Sequence, residues 1–252
     1  MALEIEKAFC LCIDKREEHW EDLENQCILK GIPLEKFVVG DGEVLPKSEY
    51  DYIDDKDPKV DTWTYGHPDD GTWVNHYNAF ICHQRIIQRA KDQRLENFLM
   101  LEDDAYFTDR YNFVLSSIMH HFEGDEPLDW DMLYLGWWIG HEDDEWNKEI
   151  EDEFEDKKFT ALARIFTNTG GLHGVVINNS IYDLLLRLNP VAPIDMQLNT
   201  LYHHGPRSIK SWVMIPKIIH DKGLFSECEH NASPRRTLRS RYLFPLKTEP
   251  VS

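Results

Sequence analysis

The sequence predicts an α/β fold in which a mostly parallel sheet is flanked by helices, and three observations carry that prediction. Phe98-Leu99-Met100-Leu101 is an apolar run set between polar Glu96-Asn97 and three acids, Glu102-Asp103-Asp104. Such a run reads as a strand buried on both faces, the kind found inside a parallel sheet. Strand, helix and strand signals follow one another within residues 8–39, which is the signature of a βαβ unit. The chain also has 252 residues, 42% hydrophobic and 12% aromatic, enough to fill the core of a single α/β domain.

The elements follow in order. Ala8 to Ile13 reads as the first strand. Asp14 is placed to cap a helix with Glu17 three residues on, Trp20, Leu23 and Cys27 repeat along one face, and Gly31 ends it before Pro33. Phe37-Val38-Val39 is a second strand closed by Gly40-Asp41-Gly42. Residues 45–71 cluster Asp, Pro, Lys and Gly without periodicity and read as a long surface loop. A helix over 75–94 carries Ala79, Phe80, His83, Ile86, Ile87 and Ala90 at helical spacing, so His83 points at the sheet. A lone histidine on an apolar face is more often a core residue than a ligand. After the acidic strand come a helix over 108–122, a strand Met132 to Leu135 stopped by Gly136, and a densely acidic block over 141–158. The remainder reads as an extended segment over 159–166, a glycine turn at Gly170-Gly171, and a strand Val175 to Ile177. A helix capped by Ser180 follows, then a helix opening at Pro193 with Asp195 near its positive end, a strand Trp212 to Ile215, and a loop holding His220. Arg235, Arg236, Arg239 and Arg241 reverse the charge of the tail.

The charge balance excludes some functions. A formal net charge of −19 argues against broad binding to nucleic acid or anionic membranes, so an anionic substrate must be met by a metal or by locally placed bases. Five scattered cysteines suit buried, reduced thiols better than a disulfide scaffold or a zinc ribbon. No signal peptide and no membrane-spanning run is read in the sequence, which points to the cytoplasm, or to a lumenal compartment if the chain is a fragment of a larger secretory protein.

The acidic run is the sharpest candidate for chemistry. Ligands of open α/β sheets bind outside the carboxyl ends of the strands, and Glu102, Asp103 and Asp104 stand there. Alternation along a strand turns Glu102 and Asp104 to one side and Asp103 to the other. Two carboxylates on one side suit a hard divalent cation that keeps its other positions for water or phosphate oxygens. A chain with 46 acidic residues forms acidic runs by chance, and most are solvated loops. This run is set apart because Ala105-Tyr106-Phe107 resumes an apolar segment at once.

Taken together, five stretches resemble glycosyltransferase family 25, which includes lipooligosaccharide glycosyltransferases and collagen galactosyltransferases. They are Cys12-Ile13-Asp14-Lys15-Arg16-Glu17-Glu18-His19-Trp20, Gly40-Asp41-Gly42, Asn78-Ala79-Phe80-Ile81-Cys82-His83, Leu101-Glu102-Asp103-Asp104-Ala105 and Pro193-Ile194-Asp195-Met196-Gln197-Leu198. The family pattern is altered at Cys12, His19, Asn78, Ala79 and Cys82; the acidic motif matches unchanged. The resemblance implies a GT-A type, Rossmann-like single domain, a UDP-sugar donor and Mn2+ held by Glu102 and Asp104, with His220 as an additional ligand or phosphate contact. It further implies that Asp14, Arg16, Asp41, His83 and Asp103 lie on the donor side, and that Asp195 is the base for an acceptor hydroxyl if configuration inverts. The acceptor it favours is hydroxylysine of a collagen-like protein, with a glycan as the alternative. Two other readings stay open on the sequence: a metal-dependent phosphohydrolase, and a catalytically silent glycosyltransferase-like binding domain.

Overall fold

The computed structural model describes residues 4–13, 17–39, 72–123, 127–139, 161–164, 169–188, 194–195, 197–198, 201, 209–222 and 244–245. Asp14, Arg16, Asp41, Cys228, the loop over 45–71, the acidic block over 141–158 and the tail arginines lie outside these residues.

The first βαβ unit forms where its sequence signals stand. Strand β1 spans Ala8–Ile13, helix α1 Glu17–Lys30 and β2 Leu34–Val39, with β1 and β2 parallel from Ala8 opposite Leu34 to Ile13 opposite Val39. Gly31 ends α1 at φ 70°, and its N–H donates to Ile28 O while Ile32 N–H reaches back to Cys27 O. That pair of bonds satisfies two of the last carbonyls of the helix, and glycine adopts the left-handed turn without steric cost. Helix α2 covers Thr72–Asp92 and closes in the same way, but with Arg94 at φ 60° in the left-handed position.

Strand β3, Asn97–Glu102, pairs parallel with β1 on one side. On its other side lies β9, Val175–Asn178, and this pairing is antiparallel. The remaining strands of the sheet are β5 (Met132–Tyr134), β7 (Ala161–Arg164), β10 (Ser211–Ile215) and β12 (Phe244–Pro245). The order across the sheet is β12-β7-β10-β5-β9-β3-β1-β2. Six of these eight strands point one way, and only β7 and β9 run against them. The sheet is therefore mixed, with its parallel character concentrated at β2-β1-β3 and β5-β10. Two short ribbons flank it, β4 (Ala105–Phe107) with β11 (Ile219–Asp221), and β6 (Trp138–Ile139) with β8 (Thr169–Gly170).

Alternation along β3 divides its side chains between two cores. Phe98 and Met100 enter one with Phe80, Ile86, Ile87 and Ala90 of α2 and with Tyr182 and Leu185 of the short helix α4, Tyr182–Leu185. Leu99 and Leu101 enter the other with Leu23 and Cys27 of α1 and with Tyr111, Val114 and Ile118 of α3, Tyr111–Ile118. Trp137 is fully buried and its indole N–H donates to Met214 O at 2.8 Å, tying the end of β5 to β10. Cys10, Cys12, Cys27 and Cys82 are buried and not joined in disulfides, as their scatter suggested. Among the described residues no helix is long and apolar enough to cross a membrane.

Four local expectations are corrected. The helix expected over 108–122 starts at Tyr111 and tightens to a 3-10 turn over Met119–Phe122. Gly170 lies in β8 rather than in a turn, and the left-handed residue is Gly171 at φ 84°. Asn178, not Ser180, caps the turn after β9, because its side chain accepts from Ser180 N at 2.9 Å while the Ser180 hydroxyl is engaged by Asp131. His220 lies in strand β11 rather than in a loop, opposite Tyr106 of β4.

Candidate active site

Five carboxylates converge at the carboxyl end of β3. Glu102 is the last residue of the strand, Asp103 and Asp104 form the turn that follows, and Ala105 opens β4. The strand thus stops two residues earlier than simple alternation assumed, and the turn directs the last two acids. Asp221 of β11 stands opposite Ala105, and Lys222 N–H donates to Asp104 O at 3.0 Å, so the ribbon fastens Asp221 beside the turn. Asp195 arrives from the helical residues after 193, and its Oδ2 is 3.5 Å from Gly171 N.

The electrostatics record this convergence. Burial pushes the Glu102 carboxyl up from 4.5 to about 8, and the charges of Asp104, Asp195, Asp103 and Asp221 push in the same direction, in that order. A carboxyl surrounded by four others holds its proton at neutral pH unless a cation is supplied. Asp103 is 4% exposed and its charge also bears on the Cys10 thiol, which belongs to the core on the α1 side. Burial is the first cause of that thiol's raised pKa, and Cys12, whose Sγ lies 3.2 Å away, adds to it.

His83 is buried in the stripe of α2 that covers Phe98 and Met100, the face to which alternation also turns Glu102. Neither ring nitrogen has a hydrogen-bond partner among the described residues, and burial lowers its pKa from 6.5 to about 4. His220 stacks on the exposed ring of Tyr106, with centroids 5.4 Å apart and planes 21° from parallel. Its sequence neighbour Asp221 is the member of β11 whose charge reaches Glu102.

Sequence reasoning brought together Glu102, Asp103, Asp104 and Asp195, and missed Asp221 and His173. His173 is 1% exposed, and its pKa is lowered to about 4, first by burial and then by Lys217 and His220, against the opposing pull of Asp221. The only sequence signal for Asp221 was its place beside His220. Its contribution depends on β11 pairing with β4, 112 residues earlier at the Ile219–Phe107 step, and hence on a contact that no local pattern displays.

The donor set is one of hard oxygens, which suits Mg2+ or Mn2+. Among the described residues no group of three or more His, Cys, Asp or Glu side chains is arranged to hold an ion by itself. A site of this kind takes one or two carboxylates and leaves the other positions to water and substrate phosphate, so the acids at the end of β3 fit it without a third protein ligand.

No protein-family model matches the chain, and no curated protein matches it. Among solved structures, it is similar to the crystal structure of a glycosyltransferase involved in the glycosylation of the major capsid of PBCV-1, with a TM-score of 0.33 and 11% identity, over 79% of this chain and 69% of that one. A likeness this loose leaves the function to be argued from the site.

Proposed function

We propose that the chain is a single-domain, metal-dependent glycosyltransferase of the GT-A type that moves a hexose, galactose or glucose, from a UDP-sugar to an acceptor hydroxyl. The observation that carries the reading is the gathering of Glu102, Asp103, Asp104, Asp195 and Asp221 at the ligand-binding end of the sheet, where burial, and after it the neighbouring charges, keep Glu102 protonated near neutrality. The ordered motifs shared with glycosyltransferase family 25 support it.

Glu102 and Asp104 would hold Mn2+, with Asp221 close by and His220 on the rim as a further ligand or phosphate contact. An ion held by these residues would supply positive charge to offset that growing on the departing diphosphate. Asp103 and His83 serve the donor side with Asp14, Arg16 and Asp41. Asp195 takes the proton of the acceptor hydroxyl as its oxygen bonds to the anomeric carbon; the anomeric bond to the diphosphate breaks, and its electron pair departs with the diphosphate. The acidic block over 141–158 favours a cationic acceptor such as a hydroxylysine-bearing, collagen-like peptide over a neutral glycan, because opposite charges draw it in.

The test is turnover of UDP-galactose and UDP-glucose, with and without Mn2+, and with either acceptor class, for the parent and Asp104→Asn. Transfer that requires Mn2+ and is lost in Asp104→Asn with the fold retained is the expected result. Hydrolysis at a rate that no acceptor changes would replace the transferase with a phosphohydrolase, and binding without turnover would leave a silent domain. A peptide KM indifferent to salt would return the glycan to first place as acceptor.

A further inference from the structure

The buried histidine behind the acids has no part in the chemistry described so far. His173 lies between β8 and β9, in a niche built from backbone. A Cβ on Gly136 would stand 2.7 Å from His173 Cδ2, 2.8 Å from its Nε2 and 2.6 Å from Ile219 O. One on Gly174 would stand 2.9 Å from the side chain of Ile219. Such approaches are possible only because both residues are glycine. The same place is tied by main-chain bonds: Leu135 and Gly136 N–H both donate to Gly174 O, and Ile218 and Ile219 N–H both donate to Leu135 O. The His173 ring therefore fills the space between the end of β5 and the start of β11, two residues before Asp221. The charges of Asp221 and His220 both bear on it.

We infer that His173 is a positioning residue: its ring, seated against Gly136, sets the height of β11 and so holds Asp221 toward Glu102 and Asp104. The inference rests on the metal site proposed above. A flat ring fits the gap between the Gly136 backbone and Ile219, whereas a smaller side chain leaves a void into which β11 can settle. The charge of Asp221 also bears on the ring, an attraction that an apolar ring of equal size does not offer. Groups behind a metal site orient the carboxylates in front of it, and their loss typically weakens metal binding about 10- to 100-fold. Four groups face His173 by charge or contact: Asp221, His220, Lys217 and the Gly136 backbone.

Two variants perturb the niche from opposite sides. His173→Phe keeps a ring without polar atoms, and Gly136→Ala presses on the ring and on Ile219 O. Mn2+ binding in the presence of UDP is measured by calorimetry on the full chain, with circular dichroism and thermal melting for the fold. Both variants should weaken Mn2+ at least about ten-fold, and His173→Gln or His173→Asn should recover part of the loss that Phe causes. If His173→Phe does not fold, Gly136→Ala and the two amide variants decide. A parent that binds Mn2+ together with variants that bind it equally well overturns the inference alone. A parent that binds no Mn2+ overturns the metal-site reading and the inference with it.

Discussion

Replacing His83 with phenylalanine should remove a large part of the acid sensitivity of the fold. The histidine is fully enclosed, with both ring nitrogens lacking partners among the described residues, so protonating it in place is unfavourable. In the unfolded chain it takes a proton near 6.5; in the folded chain it resists until about 4. Between those values the unfolded state binds the extra proton, and acid pulls the equilibrium toward it. The contribution is thus fully present above 6.5, declines as pH falls, and is gone below about 4. Each pH unit of that gap is worth about 1.4 kcal/mol, so the parent should lose about 3 kcal/mol relative to His83→Phe between pH 7 and pH 4. Urea denaturation of both proteins at half-unit steps over that range reads the difference directly, because every other titrating group is common to the pair. Parallel stability profiles would refute the reasoning and mean that the ring is solvated or paired. Donor binding by the same two proteins separates function from packing: a variant that folds but binds UDP-sugar weakly places His83 at the ligand, and one that binds it unchanged leaves a core histidine.

Glu102 gives the opposite sign. Its folded value of about 8 means that the native state keeps a proton which the unfolded chain gives up near 4.5, so Glu102→Gln should gain stability over the parent as pH rises through that window. Mn2+ binding at pH 7 should also release protons, seen as an enthalpy that varies with the ionisation heat of the buffer; an enthalpy independent of the buffer would show that Glu102 does not ligate. At the other end of the sheet, Arg94→Gly should raise stability by up to about 1 kcal/mol in thermal melts, because an L-residue with a side chain is held at φ 60° where glycine carries no such cost. A melting temperature that falls instead would show that the Arg94 side chain contributes more than its backbone costs.

The central strands were legible because their signal is local. The run Phe98–Leu101 is apolar at every position, and a strand that packs α2 on one face and α1 and α3 on the other needs that pattern. The direction of β9 was not legible. Val175-Val176-Ile177 would read the same in either orientation, since a strand buried on both faces shows no polar side by which to orient it. Strand β11 escaped notice for a different reason: Ile219-His220-Asp221 is three residues long, and only its partner β4 makes it a strand. Ser180 was misjudged as a cap because both it and Asn178 have suitable side chains, and the choice turned on Asp131, which reaches the Ser180 hydroxyl from the residue before β5.

The site was half legible for a physical reason of the same kind. Glu102, Asp103 and Asp104 are adjacent in the chain, so their charge density shows in the sequence. Asp195 and Asp221 come from separate segments, and their approach to Glu102 exists only after the sheet has formed and the β4–β11 ribbon has closed over its end. A chain with a net charge of −19 lowers its self-repulsion by spreading its acids over the surface. Gathering five of them where burial keeps one protonated runs against that tendency, and behind the ribbon that brings Asp221 in lies a histidine seated against Gly136. The carboxylates make physical sense when a positive charge joins them, either a divalent ion or the cationic character that develops at an anomeric carbon, and the end of the parallel strands is where such a ligand would stand.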